Sequence, residues 1–259
     1  MVMLHRAFFD ASRTQRQSGA YVIGGYVGTE ALWTALEAEW QANLKYWEIT
    51  DFHLTDCLAK RGQFSRLDTH KSELCALSFG QILKDANPVV VWSGLLDEEW
   101  SALAPSPAFR ARYPTPYQFL FHDILWQLGA WRHQHARGEM VAPVFDVDAD
   151  PRSVRPILDS VRSSPLYEDL VAGVTFGSRR VFVPLQAADI IAGEMQRHWF
   201  EREYPADDDA FPGFRNLLLF AVPRGSVGGL WTPATLQRAM DTFDRIGDPF
   251  SWSSPGAPA

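Results

Sequence analysis

The sequence predicts an α/β fold in which a central mixed sheet, opened by an N-terminal β-hairpin, is flanked by helices. Three observations point that way. Short apolar runs of strand character alternate with segments of helical period along most of the chain. Several of those runs end on a carboxylate. A composition of 46% hydrophobic and 21% charged residues is that of a chain that folds around a core. The 259 residues suffice for one sizeable core, so the expected organisation is a single domain over 1–250 with a C-terminal helical extension and a disordered tail at 251–259.

Taken in order, Leu4 to Phe9 reads as a buried strand ending on Asp10, Ser12 to Gly19 as a turn, and Ala20 to Gly28 as the hairpin partner. Gly24 and Gly25, in the middle of that partner, mark either a bulge or a place where another backbone comes close. Thr29 opens a helix in which Leu32, Leu36, Trp40 and Leu44 recur every four residues, one buried stripe. Glu48 to Asp56 reads as an edge strand or an ordered loop. A helix over Asp68 to Asp85 precedes the strand Pro88 to Leu96, the clearest buried strand of the chain. Pro105, Pro107, Pro114 and Pro116 punctuate a loop before a long helix, Tyr117 to His135. That helix turns Phe121, Ile124, Leu125, Leu128 and Trp131 inward and ends at Gly138. Val141 to Val147 is the next strand and carries Asp146. Asp150 and Pro151 start a helix through Arg162, Leu170 to Phe176 is a strand, and a further helix begins near Pro184. An acidic, aromatic excursion, Glu201 to Phe214, separates it from a last helix, Pro233 to Ile246. Ten Trp and seventeen Phe supply core; Trp33, Trp40 and Trp126 fall at helix-face spacings.

A formal net charge of −7 opposes nonspecific attraction to a polyanion, so any nucleic-acid role needs a local basic patch. The candidates are Arg152, Arg155 and Arg162 on one helix, Arg179 with Arg180, and Lys60, Arg61 and Arg66; as ordinary solvated faces each has a simpler reading. Cys57 and Cys75 have neither CxxC spacing nor paired histidines, which argues against a zinc site or a disulfide framework and fits a reducing cytoplasm. No run of about 18 apolar residues occurs, so neither secretion nor a membrane span is expected, and a cytoplasmic location is.

Ligands of open α/β sheets sit at the carboxyl ends of strands, where Asp10 and Asp146 stand. On the late helix, Gln186, Asp189 and Gly193 lie three and four residues apart and share one face, while Leu185, Ala188, Ala192 and Met195 are apolar. A mid-helix Asp in an apolar run is costly without a partner, so Asp189 is expected either to face the strand-end acids or to bond to backbone. Gln186 and Ser178 could hydrogen-bond to Asp189 or to a substrate, or could cap the helix start.

The segments FFDAS (Phe8 to Ser12), YVIGGYVG (Tyr21 to Gly28), FHLTD (Phe52 to Asp56), VFD (Val144 to Asp146) and LQAADIIAGE (Leu185 to Glu194) together resemble domain-of-unknown-function family 3800, which is regarded as ribonuclease H-like. The resemblance spans roughly Phe8 to Glu194, with its specific motifs early and late. Family members begin F-x-D-E-S-G; here Ala11 stands in place of the acid and Arg13 in place of the glycine. The resemblance implies carboxylates from a first strand, another strand end and a late helix gathered around one or two Mg2+ or Mn2+ ions. Carried onto this chain, the catalytic and metal-binding residues would be Asp10, Asp146 and Asp189. Glu194 would be an outer ligand, five residues from Asp189 and so at the edge of its face. His53 matches a recurrent histidine and would orient water or contact phosphate, and Gln186, Ser178, Arg179 and Arg180 would meet substrate. Such a site hydrolyses phosphodiesters, with nucleic acid or a nucleotide as partner and a homo-oligomer permitted. Ala11 and the acidic net charge motivate an alternative, a catalytically inactive nucleic-acid-binding or regulatory member of the same fold.

Two other motifs give way on inspection. DVDAD (Asp146 to Asp150) opens like a calcium loop, but Pro151 occupies the glycine position and Ile157 the bidentate glutamate position. VFDVDA resembles the nucleophile motif of haloacid-dehalogenase-like phosphatases, yet more than half the chain precedes it and no lysine motif follows.

Overall fold

The structure, a computed structural model, describes residues 3–13, 19–147, 151–162, 167, 173–203 and 227–250. Its strands are β1 (Leu4–Arg13), β2 (Ala20–Thr29), β3 (Val89–Leu96), β4 (Met140–Asp146), β5 (Thr175–Gly177) and β6 (Val227–Trp231). They form one sheet in the order β5-β4-β1-β2-β3-β6. The β1–β2 and β2–β3 pairs are antiparallel, whereas β1–β4, β4–β5 and β3–β6 are parallel, so the sheet is mixed and opens with a hairpin, as expected, although strand–helix alternation by itself points to a largely parallel sheet.

Helices cover both faces: α1 (Glu30–Tyr46), α2 (Leu54–Leu58), α3 (Thr69–Ala86), α4 (Asp97–Ala102), α5 (Pro107–Arg112), α6 (Pro116–His135), α7 (Arg155–Arg162), α8 (Pro184–Glu203) and α9 (Pro233–Ile246). Successive side chains of a strand point to opposite faces, and the two cores divide accordingly. Phe8, Val22, Tyr26, Val90 and Val144 pack with α1, α3 and α8. Ala7, Phe9, Ile23, Val91, Leu95 and Phe145 pack with α6 and α9.

The glycines of β2 serve close approach rather than a bulge. Pairing between β1 and β2 runs unbroken from His5 opposite Thr29 to Arg13 opposite Tyr21. A Cβ on Gly25 would lie 2.0 Å from the Phe8 carbonyl oxygen, and one on Gly24 would lie 3.1 Å from the Ala192 backbone. The second contact lets α8 lie directly on β2. In α1, Thr29 caps the Leu32 amide, and Trp33, Leu36, Trp40 and Leu44 are buried; Leu32 itself is only half-buried.

Several boundaries differ from the sequence reading. Strand β1 does not end at Phe9, because Ala11 to Arg13 still have partners on β2; pairing with β4 stops at Phe9 opposite Phe145. The proline-punctuated segment is not all loop. Ser106 caps α5 with Pro107 in its first turn, and Pro116 occupies the first turn of α6 behind a Thr115–Gln118 capping box, where proline's missing N–H costs nothing. Glu48 to Asp56 is ordered loop running into α2, not strand, and α7 starts at Arg155 rather than Arg152. The short parallel edge strand β6 was not anticipated. Asp150, Leu170, most of the 201–214 excursion and the 251–259 tail lie outside the described residues. No described helix is long and apolar enough to cross a membrane.

Candidate functional site

Three of the predicted residues meet at one end of the sheet. Asp10 stands on β1 one residue past the last pair with β4, and Asp146 is the last residue of the parallel neighbour β4, so the two acids project from adjacent strand positions. Asp189 approaches from α8, which packs across β1 and β2 on the face shared by Phe8 and Asp10. Asp146 and Asp189 are both buried, and Asp10 remains partly exposed. The surrounding protein nevertheless raises the Asp10 carboxyl well above the ordinary range. Burial is the main cause, the negative charges of Asp189 and Asp146 add to it, and the Ala11 N–H (2.7 Å from Oδ1) and the Arg179 guanidinium oppose it. Like charges held together out of water disfavour one another's ionisation.

Asp189 has partners of its own. Its Oδ2 accepts the Leu54 N–H at 2.8 Å, and His53 Nε2 lies 3.3 Å from its Oδ1. His53 Nδ1 meets Asp56 Oδ2 at 2.8 Å, and Arg61 lies 3.0 Å from the other Asp56 oxygen. With a carboxylate at each ring nitrogen, His53 is pushed up to about 9, chiefly by the hydrogen bond to Asp189 and then, against burial, by that residue's charge and by Asp56. Burial disfavours the Asp56 carboxylate, but His53 and Arg61 outweigh it and hold Asp56 below its usual range. At neutral pH the loop before α2 thus presents an imidazolium to Asp189. Asp56 escaped the sequence reading, although FHLTD places it three residues after His53, within reach across one helical turn.

Gln186 is bonded within the protein. Its Oε1 accepts Trp40 Nε1 at 3.0 Å and the Phe52 N–H at 2.8 Å, while its Nε2 donates to the Arg179 carbonyl at 3.0 Å. It therefore ties the 49–53 loop and the turn before α8 to the helix that carries Asp189. Ser178 sits in that turn, its carbonyl accepting the N–H groups of Val181 and Phe182. Arg179 directs its charge at Asp10 and His53. Arg180 is exposed and lines a polar cavity of about 220 Å3 with Gln41, Thr50, Asp51, Val183 and Gln186. Glu194, the expected outer ligand, lies 3.2 Å from Arg197 and raises the Tyr26 hydroxyl, behind burial as the larger cause. One more contact lies on this face, Ser12 donating to Gln196 of α8 at 3.1 Å.

Ala11 points the other way. Its methyl packs against the α6-side core with Ala7 and Phe9, so an acid at this position would sit across the sheet from Asp189. Of the basic clusters, Lys60, Arg61 and Arg66 are bonded locally, to Thr69, to Asp56, and to Glu48 with the Trp47 carbonyl. Cys57 and Cys75 are free and buried.

The donor chemistry of Asp10, Asp146 and Asp189 suits a hard divalent cation, which prefers carboxylate oxygens and relieves the repulsion that raises Asp10. The carboxylates have gathered without closing into a ligand shell: among the described residues no three His, Cys, Asp or Glu side chains converge on one metal position. No protein-family model matches the chain, and no curated protein matches it.

Proposed function

We propose that this chain is a ribonuclease H-like phosphodiester hydrolase dependent on Mg2+ or Mn2+, with Asp10, Asp146 and Asp189 as the residues that would hold the metal. The observation that carries the reading is the convergence of the three acids. Residues distant in sequence, from a first strand, a second strand end and a late helix, lie close enough for Asp189 and Asp146 both to raise Asp10. A bound divalent ion would supply a more acidic water and charge stabilisation for the leaving oxygen. The chain's own groups do the rest. His53, cationic and braced by Asp56, and Arg179 offer positive charge beside the acids where a phosphate would dock, and Gln186 holds both of their segments against α8.

The bonds already made by Asp189 favour a second reading, a catalytically silent nucleic-acid-binding or regulatory protein. Its Oδ2 accepts the Leu54 N–H and its Oδ1 faces His53 Nε2. Mn2+-dependent cleavage of single-stranded, duplex or hybrid nucleic acid separates the two. Cleavage that disappears in Asp10→Asn and Asp189→Asn supports the hydrolase; its absence from the folded wild-type protein, with no metal-induced rise in melting temperature, supports the silent protein.

A further inference from the structure

Two opposite charges, Asp51 and Arg180, line the polar cavity of about 220 Å3 beside the candidate site, and they do not pair with each other. Arg180 is exposed and makes no hydrogen bond or ion pair with a described residue. Asp51 is half-buried and makes no ion pair with one. Its Oδ1 accepts Gln63 Nε2 at 2.7 Å and Thr50 Oγ1 at 3.2 Å, and its backbone carbonyl accepts Gln63 Nε2 at 2.6 Å, so the side chain is held in place. Its Oδ2 has no hydrogen bond to a described residue and is not occluded. Opposite charges on the walls of one cavity, each with open hydrogen-bonding capacity, suit a ligand that is a donor along one edge and an acceptor along another.

The clamp that places the candidate site also places these two charges. Gln186 Oε1 accepts the N–H of Phe52, next to Asp51, and its Nε2 donates to the carbonyl of Arg179, next to Arg180. Gln186 itself lines the cavity and stands one turn before Asp189 on α8, so the cavity adjoins the acids. Val183 adds an apolar surface and Gln41 of α1 a further amide. The volume lies below the roughly 300–1,000 Å3 of pockets for drug-sized ligands, which suits a single heterocyclic base.

We infer that this cavity binds a guanine base, whose N1–H and N2–H donate to Asp51 Oδ2 while its O6 and N7 accept from Arg180. Guanine alone among the common bases carries two neighbouring N–H donors on one edge and two acceptors, O6 and N7, on the next, and arginine pairing with O6 and N7 is the commonest specific base contact. Adenine and cytosine offer a carboxylate one amino group, and uracil one ring N–H. A bare phosphate would meet the Asp51 carboxylate, and an organic cation would meet the Arg180 guanidinium. The placing of this base next to a cleaved phosphate rests on the hydrolase reading; the recognition of the base does not.

Calorimetric titration of guanosine into the metal-free full chain tests the assignment, with inosine, which lacks the N2 amino group, and with cytidine and adenosine as controls. Guanosine should bind, inosine and cytidine more weakly by about tenfold or more, and adenosine not measurably. In Asp51→Asn, Gln63 Nε2 holds the amide oxygen at the Oδ1 position, so an NH2 group faces the donors of guanine and affinity should fall by about tenfold or more. Arg180→Ala, at an exposed side chain, should weaken guanosine as much and decides the question if Asp51→Asn fails to fold. An adenylate strand carrying one guanosine separates the two sources of the base: it binds more tightly than guanosine if the base arrives within a nucleic acid and less tightly if it arrives as a free nucleoside, and both results uphold the guanine pocket. No guanosine binding, equal binding of inosine or cytidine, or affinity unchanged in either variant would overturn the assignment, even in a chain that cleaves nucleic acid. Guanosine binding without metal-dependent cleavage upholds it and sinks the hydrolase reading alone.

Discussion

Asp10 and Asp123 are carboxylates raised by burial on opposite faces of one sheet, but they keep different company. Asp10 faces Asp189 and Asp146, with the Ala11 N–H and Arg179 favouring its charge. Asp123 faces three neutral donors and, among the described residues, no charged group that acts on it. Crowded like charges are relieved by a cation from solution, whereas a carboxylate oxygen that accepts three hydrogen bonds is already satisfied within the protein. Burial alone therefore does not mark a functional acid; the sign and the satisfaction of its neighbours do. The two sites should respond to mutation in opposite directions.

The largest effect is expected at Asp123. Asp123→Ala leaves Ser93, Gln127 and the Trp231 indole without their shared acceptor, and buried groups deprived of a partner cost roughly 1–3 kcal/mol each. A loss of about 3 kcal/mol or more in urea unfolding is expected; a loss within the error of the measurement would remove the structural half of the contrast. Next comes Gln186→Leu, which strands Trp40 Nε1 and the Phe52 N–H at a cost of about 2 kcal/mol and frees the loop that carries His53. Faster hydrogen exchange at the Phe52 and Leu54 amides would report it.

Asp10→Asn should do the reverse and stabilise the metal-free protein by about 1 kcal/mol at neutral pH, as relief of a strained functional site commonly does. The sign follows from linkage. A carboxyl raised on folding binds its proton more tightly in the native state, so the wild type loses stability as pH rises from the unfolded value near 3.9 through the raised native one. The variant should lack that decline, and unfolding curves across the acidic range would show the difference. The smallest effect is at Asp56. Asp56→Asn removes one of the carboxylates that brace His53, and the imidazole should titrate below its value of about 9 in proton NMR. Because His53 is raised on folding, its contribution to stability is full below about 6.5 and fades as pH rises through about 9, a window the variant should narrow.

The same contrast shows what the sequence could and could not disclose. Asp10 and Asp146 were legible because each follows an apolar run, and Asp189 because an acid inside an apolar helix needs a reason. That argument applies equally to Asp123, which stands in PYQFLFHDILWQLGA with Gln127 four residues on, yet the strong apolar stripe of α6 drew attention away from the polar pair within it. The helix α1 was readable from its four-residue spacing and its Thr29 cap. The short helix α5 hid behind prolines that read as loop signals, although Pro107 lies in its first turn. Strand β6, VGGLW, has glycine at two of its five positions and holds its place through pairing with β3, which no local propensity reports. The direction of Ala11 was equally hidden, since it depends on how far β1 continues along β2.

The central claim is that Asp10, Asp146 and Asp189 form one cation-seeking site. Calorimetric titration of Mn2+ into wild type and Asp10→Asn at neutral pH tests it most directly. The account predicts saturable binding to wild type with a raised melting temperature, both lost in Asp10→Asn; equal binding by the two proteins, or no binding by either, would contradict it.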